Sequence, residues 1–303
     1  MKQTDSGQIR AGVVGWPIKH SRSPLIHRHW LNQHNLNGTY DRHAVAPDVA
    51  TDFFGHFASH GWAGCNVTVP HKETAYAAAD RRDASAQAVG AANTLWLEDG
   101  QLCAANTDTY GFMEHLKACC PDWADTAQHV AILGAGGAAR AIVYGFMMAG
   151  APRISILNRT KRRADDLIAA FDHHKSLGAI DWEQRHNIAS FADVIVNTTT
   201  VGMDSAGPGG ASADASPNAL PSNLIDLTRR ENPNRAIVCD IVYVPLLTPL
   251  LKHAKENGHK TVDGLGMLLH QAVPGFEKWF GVRPSVTDEL RDLIIADLDA
   301  EQC

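Results

Sequence analysis

The sequence predicts an α/β fold of two domains, the second of which contains a doubly wound parallel sheet. Short apolar runs alternate with helical stretches through roughly the first hundred residues, which is the pattern of an α/β layer. A second series of the same kind begins near His129. The chain has 303 residues, 45% of them hydrophobic, which is enough for two hydrophobic cores.

Four short runs predict the strands of the first domain. They are AGVVGWPI, GTYDRHAV, GCNVTVP and NTLWL. In the third run the strand ends before Pro70, and proline suits the first position of a helix because its missing N–H is not needed there. We therefore expect Lys72 in the first turn of that helix, where the positive end of the helix dipole mildly disfavours a cation.

The second series predicts parallel strands joined by helical crossovers. It begins with HVAILGAGGAARAIVYGFMMAGAPRISILNRT and continues through ADVIVNTTTVGM and RAIVCDIVY. Residues 204–221 are rich in Gly, Ala, Ser and Pro and predict a mobile surface loop. The last forty or so residues predict helices with a break at Gly281 and Pro284, and their spacing alone does not assign them to either domain.

The composition argues against several classes of partner. A net charge of -6 and a pI near 6.2 give no general attraction to nucleic acid or anionic membranes, so we expect a small-molecule partner. The start of the chain has no apolar segment of signal-peptide length, which favours a cytoplasmic protein. The six cysteines form no CxxC pair and the sixteen histidines no HExxH motif, so we expect free thiols and no metal site.

The segment VAILGAGGAAR predicts a dinucleotide-binding turn. Gly134 permits a tight turn after the strand, Gly136 lets the backbone approach a pyrophosphate, and Ala139 allows close helix packing. After the next strand, Asn158 stands where NAD enzymes usually carry an acidic residue, and cations follow at once. These cations are Arg159, Lys161, Arg162 and Arg163. Guanidinium groups suit phosphate oxygens, so the pattern predicts NADP rather than NAD.

Three polar segments of the first domain are ambiguous when each is taken alone. GWPIKHSRSP places Ser21 and Ser23 in a segment that we expect to be extended before a proline, so both hydroxyls could face one side. Asn93 of GAANT and Asp108 of NTDTYGF could bind a ligand, but Asp108 could equally cap a helix that begins near Tyr110.

Together these segments resemble the shikimate dehydrogenase family, NADP-linked enzymes that reduce 3-dehydroshikimate in the aromatic amino-acid pathway. The resemblance spans nearly the whole chain, and its motifs stand in the family's order: GWPIKHSRSP, NVTVPHK, GAANT, NTD, GAGGAAR, NRT, NTTTVGM, DIVYVPLLTPLL and DGLGMLLHQA. It implies reversible, NADP-dependent reduction of 3-dehydroshikimate to shikimate. It also implies a substrate domain over residues 1–108, completed by C-terminal helices at 265–303, and a Rossmann-type NADP domain over 109–264.

The resemblance further implies roles for individual residues. Lys72 and Asp108 would be the catalytic pair, with the lysine as acid in reduction and base in oxidation. The substrate would be held by Ser21, Ser23, Thr68, Lys72, Asn93, Asp108, Tyr243 and Gln271. The cofactor would be held by Gly134, Ala135, Gly136, Gly137, Ala138, Asn158, Arg159, Thr160, Arg163, Thr198, Gly264 and Met267.

Several alternatives stay open at this point. A quinate/shikimate or aminoshikimate dehydrogenase would share the catalytic pair but differ in pocket shape or accept NAD, although NRTKRR argues against NAD. A non-catalytic NADP-sensing protein could keep the fold but would have no reason to retain the polar residues of the first domain together. A folate-type dehydrogenase does not explain the serine pair. The sequence does not distinguish a monomer from a homodimer.

Overall fold

The computed structural model describes residues 7–203, 224–228, 231–232 and 234–302, so the loop predicted at 204–221 lies outside the described residues. The chain divides into two compact units. Unit 1 contains the described residues of Met1–Gly111 and Leu269–Cys303, and unit 2 is formed from Phe112–Leu268. The two boundaries lie a few residues beyond those that the sequence predicts at 108 and 264.

The sheet of unit 1 is mixed. Its strands in the described residues are β1 (Ile9–Gly15), β2 (Gly38–Ala44), β3 (Gly64–Val67), β4 (Arg81–Arg82), β5 (Thr94–Glu98) and β6 (Gln101–Ala105). Their order is β2-β1-β3-β5-β6-β4, and β5 runs antiparallel to both of its neighbours whereas the other pairs are parallel. The four predicted strands are present. Sequence reasoning missed β4 and β6 because one is two residues long and the other lacks β-branched residues.

Helices of unit 1 correct two local predictions. They include α1 (Ser23–Gln33), α2 (Ala50–Gly55), α3 (Lys72–Ala78) and α4 (Ala84–Val89), and α5 (Asp108–Cys119) contains the boundary between the units. Pro70 does not begin α3, because the N–H of His71 donates to the carbonyl of Thr68 and closes a turn ahead of the helix. The extended segment predicted around Ser21 is also wrong, since Arg22 has helical backbone angles and α1 begins at the next residue.

The C-terminal helices α12 (Ala272–Phe280) and α13 (Asp288–Gln302) belong to unit 1. The indole N–H of Trp279 donates to the carbonyl of Leu95 at 2.9 Å, and that of Trp30 donates to the carbonyl of Ser285 at 3.0 Å. Between these tryptophans the rings of His27 and Tyr40 stack with centroids 3.9 Å apart. The contacts hold the end of the chain against α1 and the first strands, and they settle for these two helices which unit they join.

The sheet of unit 2 is parallel throughout. Its described strands are β7 (His129–Leu133), β8 (Arg153–Leu157), β9 (Leu177–Ile180), β10 (Val194–Asn197), β11 (Ile237–Asp240) and β12 (Lys260–Val262). The strand order is β12-β11-β10-β7-β8-β9. Starting from β7, the chain adds β8 and β9 on one side and then returns to add β10, β11 and β12 on the other, so the strand order reverses between β7 and β10 although all strands are parallel. The sheet is therefore doubly wound, as predicted. In such sheets ligands bind beyond the carboxyl ends of the strands at this reversal.

Helices cover the parallel sheet. They are α6 (Trp123–Thr126), α7 (Gly137–Met148), α8 (Lys161–Ala169), α9 (Arg185–Phe191), α10 (Pro249–Glu256) and α11 (Gly264–His270). The buried face of α7, with Ile142, Val143 and Phe146, packs in one cluster with Val130 and Ile132 of β7. Through the part of the chain that is described, no helix combines the length and apolar character that crossing a membrane requires.

Candidate active site

Lys72, Asp108 and Asn93 form a hydrogen-bonded group in unit 1. The Lys72 ammonium donates to Asp108 Oδ2 at 2.7 Å, and Asn93 Nδ2 donates to Asp108 Oδ1 at 2.9 Å. The side chains of Lys72 and Asp108 are 31% and 15% exposed, so a small molecule can reach the pair although it is largely shielded from water. Asp108 begins α5, two residues earlier than predicted, where the helix dipole stabilises a carboxylate.

The sheet topology explains why three residues so far apart in sequence meet. Lys72 lies shortly after β3 and Asp108 after β6, whereas Asn93 immediately precedes β5. Because β5 is antiparallel to β3 and β6, its first residue lies beside the last residues of those strands, as the pairing of Thr94 with Asn66 and Ala105 shows. The start of β5 therefore lies beside the carboxyl ends of β3 and β6, and these strand ends form one edge of the sheet.

Asn93 is itself held in a fixed orientation. Its Oδ1 accepts hydrogen bonds from the backbone N–H of Thr107 at 2.8 Å, from the Thr107 hydroxyl at 3.1 Å and from the Thr94 hydroxyl at 3.0 Å. All three side chains are buried. With its oxygen occupied in this way, the amide presents its N–H₂ group to Asp108 and so fixes the carboxylate that contacts Lys72.

Tyr40 and Asn66 form further hydrogen bonds behind Asn93, and sequence reasoning missed both residues. The Tyr40 hydroxyl donates to Asn66 Oδ1 at 2.6 Å, and Asn66 Nδ2 contacts the Asn93 carbonyl and the Thr94 hydroxyl, both at 3.2 Å. Burial raises the pKa of Tyr40, so its hydroxyl stays protonated and serves as a donor. A polar residue within the fully buried strand of NVTVPHK was the available signal for Asn66, because buried amides need partners.

The hydroxyls predicted to bind substrate lie at the same edge of the sheet. Ser21 and Ser23 follow β1, and the backbone N–H of Ser23 approaches Ser21 Oγ at 3.4 Å. Thr68 follows β3, which is parallel to β1, and its backbone N–H donates to the carbonyl of Val14 at 2.9 Å. A Cβ added to Gly15 would lie 2.5 Å from Thr68 Cγ2, so glycine is needed for this close approach.

The two remaining predicted substrate residues occupy different units. Gln271 directly precedes α12 in unit 1, makes no side-chain capping hydrogen bond to that helix, and is partly buried. Tyr243 lies in unit 2, in the loop after β11, and is also partly buried. Their roles toward a substrate remain predictions.

The glycine-rich turn of unit 2 lies at the reversal of the strand order. Gly134 has φ +111°, and a Cβ there would lie 2.5 Å from Thr198 Oγ1, which in turn donates to the carbonyl of Leu133 at 2.7 Å. Gly136 caps α7 without a side-chain hydrogen bond, and a Cβ at Gly136 or Gly137 would meet no atom within 4 Å. The open backbone at the start of a twelve-residue helix fits a phosphate group.

The cations after β8 fall into two classes. Lys161 and Arg162 form ion pairs with acidic residues one turn along α8, at 2.9 and 3.9 Å. Arg159 and Arg163 are exposed, and within the described residues neither forms an ion pair with an acidic side chain. Asn158 donates through Nδ2 to the carbonyl of Thr160 at 2.9 Å, which shapes the loop that carries these groups. Two uncompensated guanidinium groups at this position fit a ribose phosphate.

The other predicted cofactor residues have clear structural roles of their own. A Cβ at Gly264 would lie 2.3 Å from the carbonyl oxygen of Ile241, so this glycine lets α11 begin against the loop after β11. Met267, on α11, packs against the main core cluster of unit 2, as does Ala135. Ala138 lies in the first turn of α7. Contact of these residues with a cofactor stays a prediction.

A buried carboxyl group in unit 2 also escaped sequence reasoning. Asp240 Oδ1 accepts from Asn197 Nδ2 at 3.0 Å and from the N–H of Val242 at 3.1 Å, and Oδ2 accepts from the Thr248 hydroxyl at 2.7 Å. Burial raises the pKa of Asp240 to about 7, and the three hydrogen bonds oppose this only in part. The group joins the loop after β10 to the loop after β11, which carries Tyr243.

The described residues contain no group of three or more His, Cys, Asp or Glu side chains that could hold a metal ion. The described cysteines are free thiols, namely Cys65, Cys103, Cys119, Cys120 and Cys239. The arrangement offers a shielded ammonium beside a fixed carboxylate in unit 1, and a turn with open backbone that fits a phosphate group in unit 2.

Comparison with protein families gives three matches along the chain. Residues 13–95 match the shikimate dehydrogenase substrate binding domain, and residues 121–205 match shikimate / quinate 5-dehydrogenase. Residues 264–288 match the shikimate 5'-dehydrogenase C-terminal domain. The first match contains Lys72 and Asn93, and the second contains the glycine-rich turn.

Comparison with individual proteins extends the similarity over nearly the whole chain. The chain is 49% identical to shikimate dehydrogenase (NADP(+)) of Brucella abortus (strain S19) over 289 residues, which cover 95% of this chain and 94% of the relative. The crystal structure of shikimate 5-dehydrogenase from Thermus thermophilus in complex with NADP(H) and shikimate matches with a TM-score of 0.77 and 32% identity, covering 95% of this chain and 99% of that one. Quinate dehydrogenase from Corynebacterium glutamicum in complex with NAD matches with a TM-score of 0.79 and 26% identity, with the same coverage.

Proposed function

Because this chain belongs to the shikimate dehydrogenase family, we propose that it catalyses the reversible, NADP-dependent reduction of 3-dehydroshikimate to shikimate. The observation that carries the proposal is the contact of Lys72 with Asp108, which Asn93 holds from its other side. A regulatory protein that only senses NADP would not need this group. The reaction belongs to aromatic amino-acid biosynthesis.

Lys72 supplies the proton that the reaction needs. Reduction of a ring ketone places negative charge on the carbonyl oxygen, and a positioned ammonium stabilises that charge and donates a proton to it. In the oxidation direction the Lys72 amine accepts the proton of the substrate hydroxyl. Asp108 keeps the ammonium in place through the 2.7 Å hydrogen bond, so little orientation has to be acquired during the reaction. NADPH, when bound, supplies the hydride.

The remaining polar residues bind and orient the substrate. The hydroxyls of Ser21 and Ser23 donate to its carboxylate, and the side chains of Thr68 and Asn93 contact ring hydroxyls together with the catalytic pair. Tyr243 and Gln271 complete the set. The location of the serines, Thr68 and Asn93 at one edge of the mixed sheet supports these assignments.

The turn of unit 2 binds the cofactor. The backbone from Gly134 to Ala138 approaches the pyrophosphate, and Arg159 and Arg163 bind the ribose 2′-phosphate together with Asn158 and Thr160. Thr198 lies beside Gly134 at the strand reversal, as expected for a cofactor contact. Gly264 and Met267 complete the cofactor set. The absence of acidic partners around the two arginines in the described residues supports NADP over NAD.

We further propose that the protein acts in the cytoplasm on a small-molecule substrate, as a monomer or homodimer, without nucleic acid or membrane partners. The net charge of -6 disfavours both of those partners. Light scattering of the purified protein measures its mass, and a mass above that of a dimer would contradict the proposed assembly.

The decisive experiment follows NADPH or NADH formation at alkaline pH with shikimate, quinate and an aminated analogue, each with NADP and with NAD. We expect the highest kcat/KM with shikimate and NADP. Higher efficiency with quinate would assign the quinate activity instead, and a lack of turnover with every pair would leave a sensing protein. In the same assay, Lys117→Met, at an exposed lysine on α5, is the control for the loss of positive charge when Lys72 is replaced by methionine.

A further inference from the structure

Arg42, on the strand next to β1, contacts the backbone of the segment from Ser21 to Ser23, which we call the serine segment. Its Nε and Nη2 both donate to the carbonyl oxygen of Ser21, at 2.9 and 2.6 Å. Arg42 lies on β2, the edge strand of unit 1, within a run in which the sequence shows only a strand. Because the guanidinium group directs two coplanar N–H groups at one acceptor, it restrains the position of the Ser21 backbone.

The charge of Arg42 is not neutralised. Arg22, adjacent to Ser21, is buried and forms an ion pair with Asp297 at 3.0 Å, and Arg28 forms one with Asp41. Arg42, by contrast, forms no ion pair with an acidic side chain in the ranges that the structure describes, and the carbonyl that it contacts is neutral. The exposed guanidinium of Arg42 therefore places an unpaired positive charge, partly screened by water, beside Ser21.

The face of β2 that carries Arg42 also reaches the candidate catalytic group. Tyr40 and Arg42 are two residues apart on β2, so their side chains lie on the same face of the sheet. The Tyr40 hydroxyl donates to Asn66 Oδ1, and Asn66 Nδ2 donates to the Asn93 carbonyl. One face of β2 thus contacts the Ser21 backbone through Arg42 and the residues behind Asn93 through Tyr40.

We propose that Arg42 is a positioning and specificity-determining residue that favours substrates carrying a carboxylate. The inference rests on the proposed function, in which Ser21 and Ser23 donate to the substrate carboxylate. The serine hydroxyls already favour a carboxylate over its neutral ester, because a hydrogen bond to an anion is stronger than one to a neutral acceptor. An adjacent unpaired cation adds a Coulomb interaction that only the anion gains, and this increases the discrimination.

The test measures kcat and KM of wild type and Arg42→Gln for shikimate and for its methyl ester, which is neutral at the same position. We expect the substitution to raise KM for shikimate about tenfold and KM for the ester about twofold, as for loss of one partly screened charge interaction. The kcat for shikimate should change by less than about twofold, because Arg42 does not contact the reacting atoms. The informative quantity is the ratio of KM for the methyl ester to KM for shikimate, compared between wild type and Arg42→Gln.

Two further variants separate charge from structure. Arg42→Lys keeps the positive charge but loses the two-pronged contact, and we expect it to retain most of the preference for the acid. Arg10→Gln removes an exposed cation from the opposite end of β1 and should leave both KM values unchanged. If Arg42→Gln does not fold, Arg42→Lys still decides, since loss of the acid preference in that variant contradicts the inference.

The outcomes distinguish this inference from the function on which it rests. Wild-type protein that does not oxidise shikimate would refute the proposed function. Active wild type, with Arg42→Gln raising KM for acid and ester equally or raising neither, would refute only the role of Arg42.

Discussion

The two units build their binding groups in different ways. In unit 1 the candidate catalytic residues already contact one another, since Lys72, Asp108 and Asn93 are joined by hydrogen bonds of 2.7 and 2.9 Å. In unit 2 the corresponding features are backbone conformation at Gly134 and exposed cations such as Arg159 without acidic partners among the described residues. The candidate catalytic groups of unit 1 satisfy one another, whereas the turn and the exposed arginines of unit 2 leave room and charge for a ligand to satisfy.

This difference has a functional meaning. Groups that must act on a transition state gain from being oriented beforehand, because reorganisation during the reaction costs free energy. Groups that bind a cofactor in the ground state need only an open surface of the correct charge. Substitutions in the Lys72, Asp108 and Asn93 group of unit 1 should therefore act mainly on kcat, and substitutions in the turn region of unit 2 mainly on KM for the cofactor.

The largest expected effect is at Lys72. Lys72→Met removes the ammonium and should lower kcat about a thousandfold, because positioned acid or base catalysis contributes on the order of 10²–10⁴-fold. KM for shikimate should change far less, since the lost interaction belongs to the transition state. Steady-state kinetics measures both, and a kcat near that of wild type would remove Lys72 from the chemistry.

A smaller effect on kcat is expected at Asn93. Asn93→Ala removes the donor to Asp108 and leaves the buried N–H of Thr107 without its acceptor, which costs about 1–3 kcal/mol of stability. We expect kcat to fall about 10- to 100-fold as the carboxylate loses its fixed orientation. Kinetics and thermal unfolding measure the two effects. Asn37→Ala, at an exposed asparagine, is the control, and an equal loss there would contradict the interpretation.

In unit 2 the double substitution Arg159→Gln with Arg163→Gln should raise KM for NADP about tenfold and leave KM for NAD nearly unchanged, since only the former has a 2′-phosphate. The structure offers a matched control, because Arg162 on the same helix is paired with Asp166. Arg162→Gln should have little effect. Comparable losses for NADP and NAD would show that the two arginines do not recognise the phosphate.

The smallest expected effect concerns stability in mild acid, where the units should differ. Burial lowers the pKa of His27 in unit 1 to about 3, so its contribution to stability is present above pH 6.5 and is lost as pH falls toward 3. In unit 2 burial lowers the pKa of His129 to about 4, which acts in the same direction. Asp240, with a pKa of about 7, acts in the opposite direction, because stability increases as pH falls from 7 toward 3.8.

The two groups of unit 2 therefore offset each other, whereas His27 is not opposed by a carboxyl with a raised pKa. From about pH 7 to about pH 5.5, unit 1 should lose about 1 kcal/mol more than unit 2. Hydrogen exchange of β1 and β10, corrected for the intrinsic pH dependence, measures this difference. His27→Phe should reduce it most, although burial also lowers the pKa of His43 in unit 1, and His20→Phe, at an exposed histidine, should not. Equal acid sensitivity of the two units would contradict the assignment.

Prediction from sequence succeeded where the signal is local. The glycine pattern around Gly134 and the parallel strands of unit 2 are local or periodic features, and the structure agrees with them. Two predictions of backbone conformation were wrong, and both concerned short segments next to a proline. Pro70 proved to lie in a turn and Arg22 in a helical conformation, because short-range hydrogen bonds there override the preferences of proline and its neighbours.

The sequence by itself determined the identity of the polar groups and the alternation of strands and helices, because composition, periodicity and motif spacing are properties of short segments. Only the tertiary structure decided which polar groups meet. The antiparallel insertion of β5 places Asn93 beside Asp108, and the edge position of β2 places Arg42 beside Ser21. Such contacts between distant segments depend on strand order and direction, which no local pattern of residues specifies.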